Sequence, residues 1–229
     1  MTIFFLQIDT ASKATQAAAE VATQSESLWS MLAKGGPIMI PLALLFVAMV
    51  YFFIERLMVI KKAGLDDELF MQQIREQITS GNLSSAKSLA KTTDHPIARI
   101  IEKGLQRIGK PIDAIEKSME NVGKLEMYKL EKNLSIISVI ARIAPLFGFV
   151  GTIIGLVILL KEFATISNPS ISQIADAMYI KLITSATGLI TGMLAFLGHS
   201  YLDTQMNRVA NKMEAASNEF IDILQEPTK

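Results

Sequence analysis

The 229-residue sequence has no cysteine, a single tryptophan and only two histidines. Without thiols there can be no disulfide framework, thiolate metal site or cysteine nucleophile. His95 and His199 are too few and too far apart in the chain to argue for a metal. No phosphate-binding loop or nucleophile constellation appears either, so an enzyme is the weakest reading and no cofactor is expected. The most informative absence is local. Three runs, Pro37 to Ile54, Ile143 to Leu160 and Leu182 to Leu202, contain no aspartate, glutamate, lysine or arginine.

Half of the chain is hydrophobic, more than a soluble domain of this size normally carries. Each uncharged run is about eighteen residues or longer, enough at ~1.5 Å per residue to cover most of a ~30 Å hydrocarbon core. The sequence therefore predicts an all-α membrane protein with three transmembrane helices. The second and third extend into a helical cytoplasmic domain. The formal net charge is zero, which gives no reason to expect a nucleic-acid partner. Its distribution is uneven, because fourteen of the 22 lysines and arginines fall between Arg56 and Lys132. The positive-inside rule puts that section and the C-terminal tail in the cytoplasm, with most weight on Arg56, Lys61, Lys62, Lys129 and Lys132 near the boundaries.

The expected organisation is an outer-face amphipathic segment over 1–36, a first span over 37–60 and a cytoplasmic helical domain over 61–133. A second span over 134–165, a short outer loop over 166–176, a third span over 177–203 and a cytoplasmic helix over 204–229 complete it. In the first segment Trp29 suits the headgroup level, and Gly35-Gly36-Pro37 punctuates the entry to the first span. The opening Met1 to Leu6 run is too short and lacks the basic flank of a signal peptide. Glu55-Arg56 marks the exit of the first span.

From Lys62 to Asn133 apolar residues recur at three and four, the helical period. Ile97, Ile101, Leu105 and Ile108 form one stripe, and Ile112, Ile115, Met119 and Val122 another. Turn chemistry at Gly81-Asn82, Asp94-His95-Pro96 and Gly109-Lys110-Pro111 separates the helices. No breaker is evident between Met127 and Ile137, which predicts one long helix entering the second span. Past the third span, Leu202, Met206, Val209, Met213, Ala216, Phe220 and Ile223 alternate steps of four and three, the seam of a helix that packs along its length.

Small and hydroxyl residues take the place of charge inside the spans. Gly148, Gly151 and Gly155 in the second, and Gly188 and Gly192 in the third, suit close helix packing. Thr152, Thr184, Ser185, Thr187 and Thr191 add hydroxyls; the threonines of the third span recur at steps of three and four, a polar stripe facing a pore or another polar helix. A threonine can also simply bond its own i−4 carbonyl. Arg142, Asp176, Lys181 and His199 are the ionisable groups at the margins, candidates for gating or interface charges. For Arg142 and His199 the bland alternative is interfacial snorkelling or hydrogen bonding, and Lys181 can solvate itself at the outer end.

The stretch Leu134-Ser-Ile-Ile-Ser-Val-Ile-Ala-Arg-Ile-Ala-Pro-Leu-Phe-Gly-Phe-Val-Gly-Thr-Ile-Ile-Gly155 resembles the "IAxxAPLLGLLGTVxGM" run of the ExbB and TolQ proton-channel proteins, distant relatives of the flagellar stator MotA. Ile174-Ala-Asp-Ala-Met178 and Thr184-Ser-Ala-Thr-Gly-Leu189 resemble that family's "IAEAL" and "ATAxGL" elements, and the likeness covers nearly the whole chain. The resemblance implies an oligomeric ring, a pentamer, in the bacterial inner membrane. Its second and third spans line a pore around the single transmembrane helices of an ExbD- or TolR-like partner. That partner supplies a membrane-embedded aspartate as proton carrier, and the motor works on a TonB- or TolA-like protein.

By the same resemblance Thr152 matches the family's Gly-Thr threonine. In the third span the matching position is Ser185, with Thr184 beside it. The acidic residue of "IAEAL" is displaced: aligned through Gly188 its place is Ile180, next to Lys181, while Asp176 lies one turn earlier. Two other readings compete. One is a non-conducting scaffold, in which the glycines pack helices and the cytoplasmic loop binds partners without ion flow; membrane lipids are expected partners in any of these readings. The other is a MotA-like stator, which normally has four spans where three are visible here.

Overall fold

A computed structural model describes residues 37–64, 67–165 and 170–225. The N-terminal segment with Trp29 and Gly35-Gly36 lies outside the described residues, as do part of the 166–176 loop and the last four residues. Seven helices occur among the described residues: α1 (Met39–Ala63), α2 (Asp67–Thr79), α3 (Leu83–Thr92), α4 (Pro96–Gln106), α5 (Ile112–Glu131), α6 (Leu134–Phe163) and α7 (Ile171–Gln225). No described residue is in a strand, so the chain is all-helical. Three helical stretches, containing α1, α6 and α7, are long and apolar enough to cross a membrane.

The chain divides into two compact units. Of the described residues, one comprises 37–41 with those of 147–187, and the other those of 42–146 with 188–225. In the second unit the short helices begin and end where turn chemistry predicts. Gly81 and Gly109 adopt φ of 77° and 94°, the left-handed region open to glycine at low cost. Asn82 caps α3 by accepting from the Ser85 amide at 3.3 Å. His95 caps α4 through Nδ1, which accepts from the Ala98 amide at 3.1 Å, and Pro96 follows at a position where its missing N–H costs nothing.

Consecutive helices α2 to α5 pack on one another, and their apolar stripes form the core of this unit. Ile97, Ile101, Leu105, Ile115 and Met119 are buried, while Ile108 and Val122 are half-buried and Ile112 is exposed. All seven seam residues of α7, from Leu202 to Ile223, are buried. At Gly104 the seam comes close to α4: a β-carbon there would stand 2.5 Å from Cε1 of Phe220 and 2.7 Å from Sδ of Met119.

One expectation is corrected. The helix predicted to run unbroken into the second span is interrupted, because α5 ends at Glu131 and Asn133 adopts a φ of 66° before α6 begins at Leu134. Asparagine tolerates this left-handed conformation better than most residues, and it is a common helix terminator there. Its side chain is held by Glu55, which accepts from Nδ2 at 3.1 Å. The stop was hidden in the sequence because a lone asparagine between apolar residues carries no strong breaker signal.

Gly104→Ala is expected to destabilise the protein by about 1–3 kcal/mol through overpacking against the Phe220 ring. Thermal unfolding of the detergent-solubilised chain checks this, and adding Phe220→Leu should recover part of the loss.

Candidate pore-facing site and its supporting network

In the first unit, α6 and α7 meet at glycines. A β-carbon on Gly151 would lie 3.0 Å from Cγ2 of Thr184 and 3.3 Å from Cγ2 of Ile38. One turn further along, a β-carbon on Gly155 would collide with Cδ of Lys181 and stand 2.7 Å from its Cγ and Cε. The lysine stem is therefore folded across the bare backbone of α6. Gly148 is buried as well. At Gly155 the neighbour is a half-buried lysine stem, which the glycine spacing did not indicate.

The hydroxyls divide into two kinds. Thr152 is half-exposed, and its Oγ1 donates to the Phe149 carbonyl at 2.6 Å. Its proton is committed to the helix while its oxygen can still accept a hydrogen bond from outside. Thr187 likewise donates to the Ile183 carbonyl at 2.9 Å. Thr184, by contrast, is only 2% exposed, turned toward Gly151 rather than away from the chain, and Ser185 beside it is half-buried. The structure thus brings Thr184, Gly151, Gly155 and Lys181 together and gives Thr152 an outward aspect. The Asp176 side chain lies outside what the structure describes.

The second unit has its own close approach. A β-carbon on Gly192 would collide with Cγ of Pro145 and lie 2.6 Å from its Cδ and 3.0 Å from the Ala141 carbonyl oxygen. Proline inside α6 lacks the N–H that this i−4 carbonyl would otherwise receive, and its ring crowds the helix. Gly192 leaves room for that ring. Gly188 and Thr191 are both buried. Nearby on the same unit, Arg142, His199 and Asp203 line one open groove of about 690 Å³, with Ser138 accepting from Arg142 at 3.2 Å. Asp203 did not stand out in the sequence, although its place four residues after His199 on one helix was the available signal.

Two charged networks tie the helices of this unit together. Arg56, 5% exposed, donates to Glu55 at 2.6 Å and to the Lys129 carbonyl at 3.2 Å, placing a cation at the C-terminal end of α5 where the helix dipole favours it. Glu126, 3% exposed, accepts from Arg99 at 2.7 Å and from Lys129 at 2.6 Å. Burial pushes its carboxyl up, but the hydrogen bonds and charges of Arg99 and Lys129 outweigh this and leave it below the usual carboxylate range. At the surface, Lys117 and Lys124 hold the Glu120 carboxyl down at about 2. Among the described residues no cluster of histidines and carboxylates could hold a metal ion.

Residues 92–215 match the model of the MotA/TolQ/ExbB proton channel family, more than half of the chain. The chain belongs to this family. It is 24% identical over 141 residues, 62% of its length, to an ExbB homologue named for biopolymer transport from Methanothermobacter thermautotrophicus, of which the match spans 50%. It is 23% identical over 152 residues to the biopolymer transport protein exbB1 of Vibrio cholerae, covering 63% of this chain and 67% of the relative. An ExbB-like biopolymer transport protein of Synechocystis is 23% identical over 205 residues, 86% of this chain and 79% of the relative. The matched segment runs from the last residue of α3 through most of α7, and includes every glycine and hydroxyl of the site. With three apolar helical stretches, this ExbB-family chain is a multi-pass membrane protein.

Two substitutions test the framework. Gly192→Ala should cost about 1–3 kcal/mol by forcing Pro145 away, read as a lower unfolding temperature in detergent. Glu126→Gln should lower stability near neutral pH by about 1–3 kcal/mol, since it removes charge-assisted hydrogen bonds and leaves their donors poorly paired. Because the folded carboxyl titrates below the unfolded value of ~4.3, its contribution is present above that pH and is lost as pH falls through the folded value. The wild-type advantage over Glu126→Gln in a stability-against-pH series should therefore shrink only below about pH 4.

Proposed function

We propose that this chain is the ring-forming subunit of a proton-driven motor in the bacterial inner membrane, with its N-terminus periplasmic and its α2–α5 section and C-terminal helix cytoplasmic. The ring, a pentamer, surrounds the transmembrane helices of an ExbD- or TolR-like single-span protein, and the work is delivered to a TonB- or TolA-like partner. The orientation rests on the concentration of lysine and arginine between Arg56 and Lys132.

The observation that carries the reading is the pairing of a hydroxyl site with a missing acid. The three uncharged runs offer no carboxylate to carry a proton, and a proton-conducting membrane protein normally needs an ionisable group near the bilayer centre. Thr152, its own proton held by Phe149, is poised to accept a hydrogen bond from a protonated carboxyl supplied by another chain. Thr184 and Ser185 on α7 provide further hydroxyls at neighbouring positions. Membership of a proton channel family supports the same chemistry. In this mechanism the partner's carboxyl is protonated from one side, held by the threonine hydroxyl while neutral, and released when it ionises toward the other.

Thr152→Val keeps the shape and removes the acceptor. In liposomes holding the chain with its single-span partner, the variant should assemble normally and conduct protons at least about ten-fold more slowly, a change in barrier of roughly 1.4 kcal/mol. Normal flux from an assembled Thr152→Val complex would remove Thr152 from the pathway and favour a scaffold.

A further inference from the structure

We propose that Lys181 is a docking cation for a membrane-embedded carboxylate on the transmembrane helix of a second protein. The proposal deepens the reading above and rests on it. It starts from where the ammonium is held. Cγ, Cδ and Cε of Lys181 all crowd the point where a side chain on Gly155 would begin, with Cγ and Cε 2.7 Å away. Nζ is one bond of about 1.5 Å beyond Cε. The charge therefore stays level with Gly155 and does not reach along the helix. Lys161, the next charged residue of α6 toward its end, is six residues on, about 9 Å along the axis.

Among the side chains the structure describes, that level has no acid; the Asp176 side chain, five residues before Lys181 on α7, is not among them. The positions a helix sets beside Lys181 are Ala177, Met178, Thr184 and Ser185, and those beside Gly155 on α6 are Gly151, Thr152, Ile158 and Leu159. Glu162 is seven residues beyond Gly155, about 10 Å away along α6. Among the described residues no carboxylate forms an ion pair with Lys181. A half-buried cation within an apolar helix pair is costly unless an opposite charge or a polar cavity meets it.

The occupant that fits is a carboxylate carried at this depth by an inserted helix. A lipid phosphate fits poorly, because the glycine notch keeps the ammonium folded inward where a snorkelling lysine would extend toward the headgroups. Thr184 follows Lys181 by three residues and Thr152 precedes Gly155 by three, so each lies one helical turn from the notch. The role of Gly155 follows too: any side chain there would displace the lysine stem.

The test uses the full chain in phosphatidylcholine vesicles and a fluorescent Leu/Ala transmembrane peptide with one aspartate in the outer third of its apolar stretch, or asparagine in its place. Energy transfer at pH 8 reads binding. The wild-type chain should bind the aspartate peptide at least ten-fold more tightly than the asparagine peptide. Lys181→Met should abolish that preference and Lys181→Arg should keep it, with unchanged size-exclusion profiles. Equal binding of both peptides by the wild type, or a preference that survives in Lys181→Met, would overturn the proposal while leaving a helix-receiving ring intact. Binding of neither peptide would overturn the helix-receiving reading itself, and the proposal with it.

Discussion

The close approach of α6 and α7 at glycine is the constraint on which the rest of this molecule depends. In a membrane the hydrophobic effect does not drive helices together, so contact must come from backbone proximity and from polar groups that find each other. A β-carbon would be tightly crowded at Gly151 and would collide at Gly155 in the same unit and at Gly192 in the other. What fills the space differs at each: a threonine methyl, a lysine stem and a proline ring. The same absence of side chains that lets the helices touch also fixes which polar atoms turn inward and which remain available.

From that packing follows the division of the hydroxyls. Thr184 and Thr191 are buried, whereas Thr152 keeps an outward aspect with its proton already given to Phe149. A hydroxyl in that state accepts but does not donate. Such a group is suited to a protonated carboxyl and not to an ionised one, which is the asymmetry a proton carrier needs. The charged networks stand apart from this chemistry. Arg56, Glu55, Asn133, Arg99 and Glu126 fasten the helices of the polar section through hydrogen bonds and ion pairs, so they act on stability and positioning.

Much of this was legible in the sequence. The three spans followed from uncharged length, and the α7 seam followed from a strict four-three alternation whose seven residues are all buried. The turns at Gly81, His95 and Gly109 were marked by residues with one physical use each. The break at Asn133 was not, because a lone asparagine between apolar residues is a weak breaker signal and the Glu55 that receives its side-chain hydrogen bond is distant in sequence. The site was legible only in part. Glycine spacing announced close packing, but nothing in the spacing says that Lys181 lies across Gly155 or that Thr184 turns inward. Those facts depend on the rotation of two helices about their own axes, which a pattern of small residues does not determine.

The central claim is that this chain provides a hydroxyl-lined path and borrows its acid. Proton flux into liposomes, driven by an imposed potential, tests it most directly when the purified chain alone is compared with the chain assembled around a single-span partner bearing a membrane-embedded aspartate. The account predicts little flux from the chain alone, robust flux from the complex, and loss of that flux when the partner's aspartate is replaced by asparagine. Robust flux from the chain alone would contradict it.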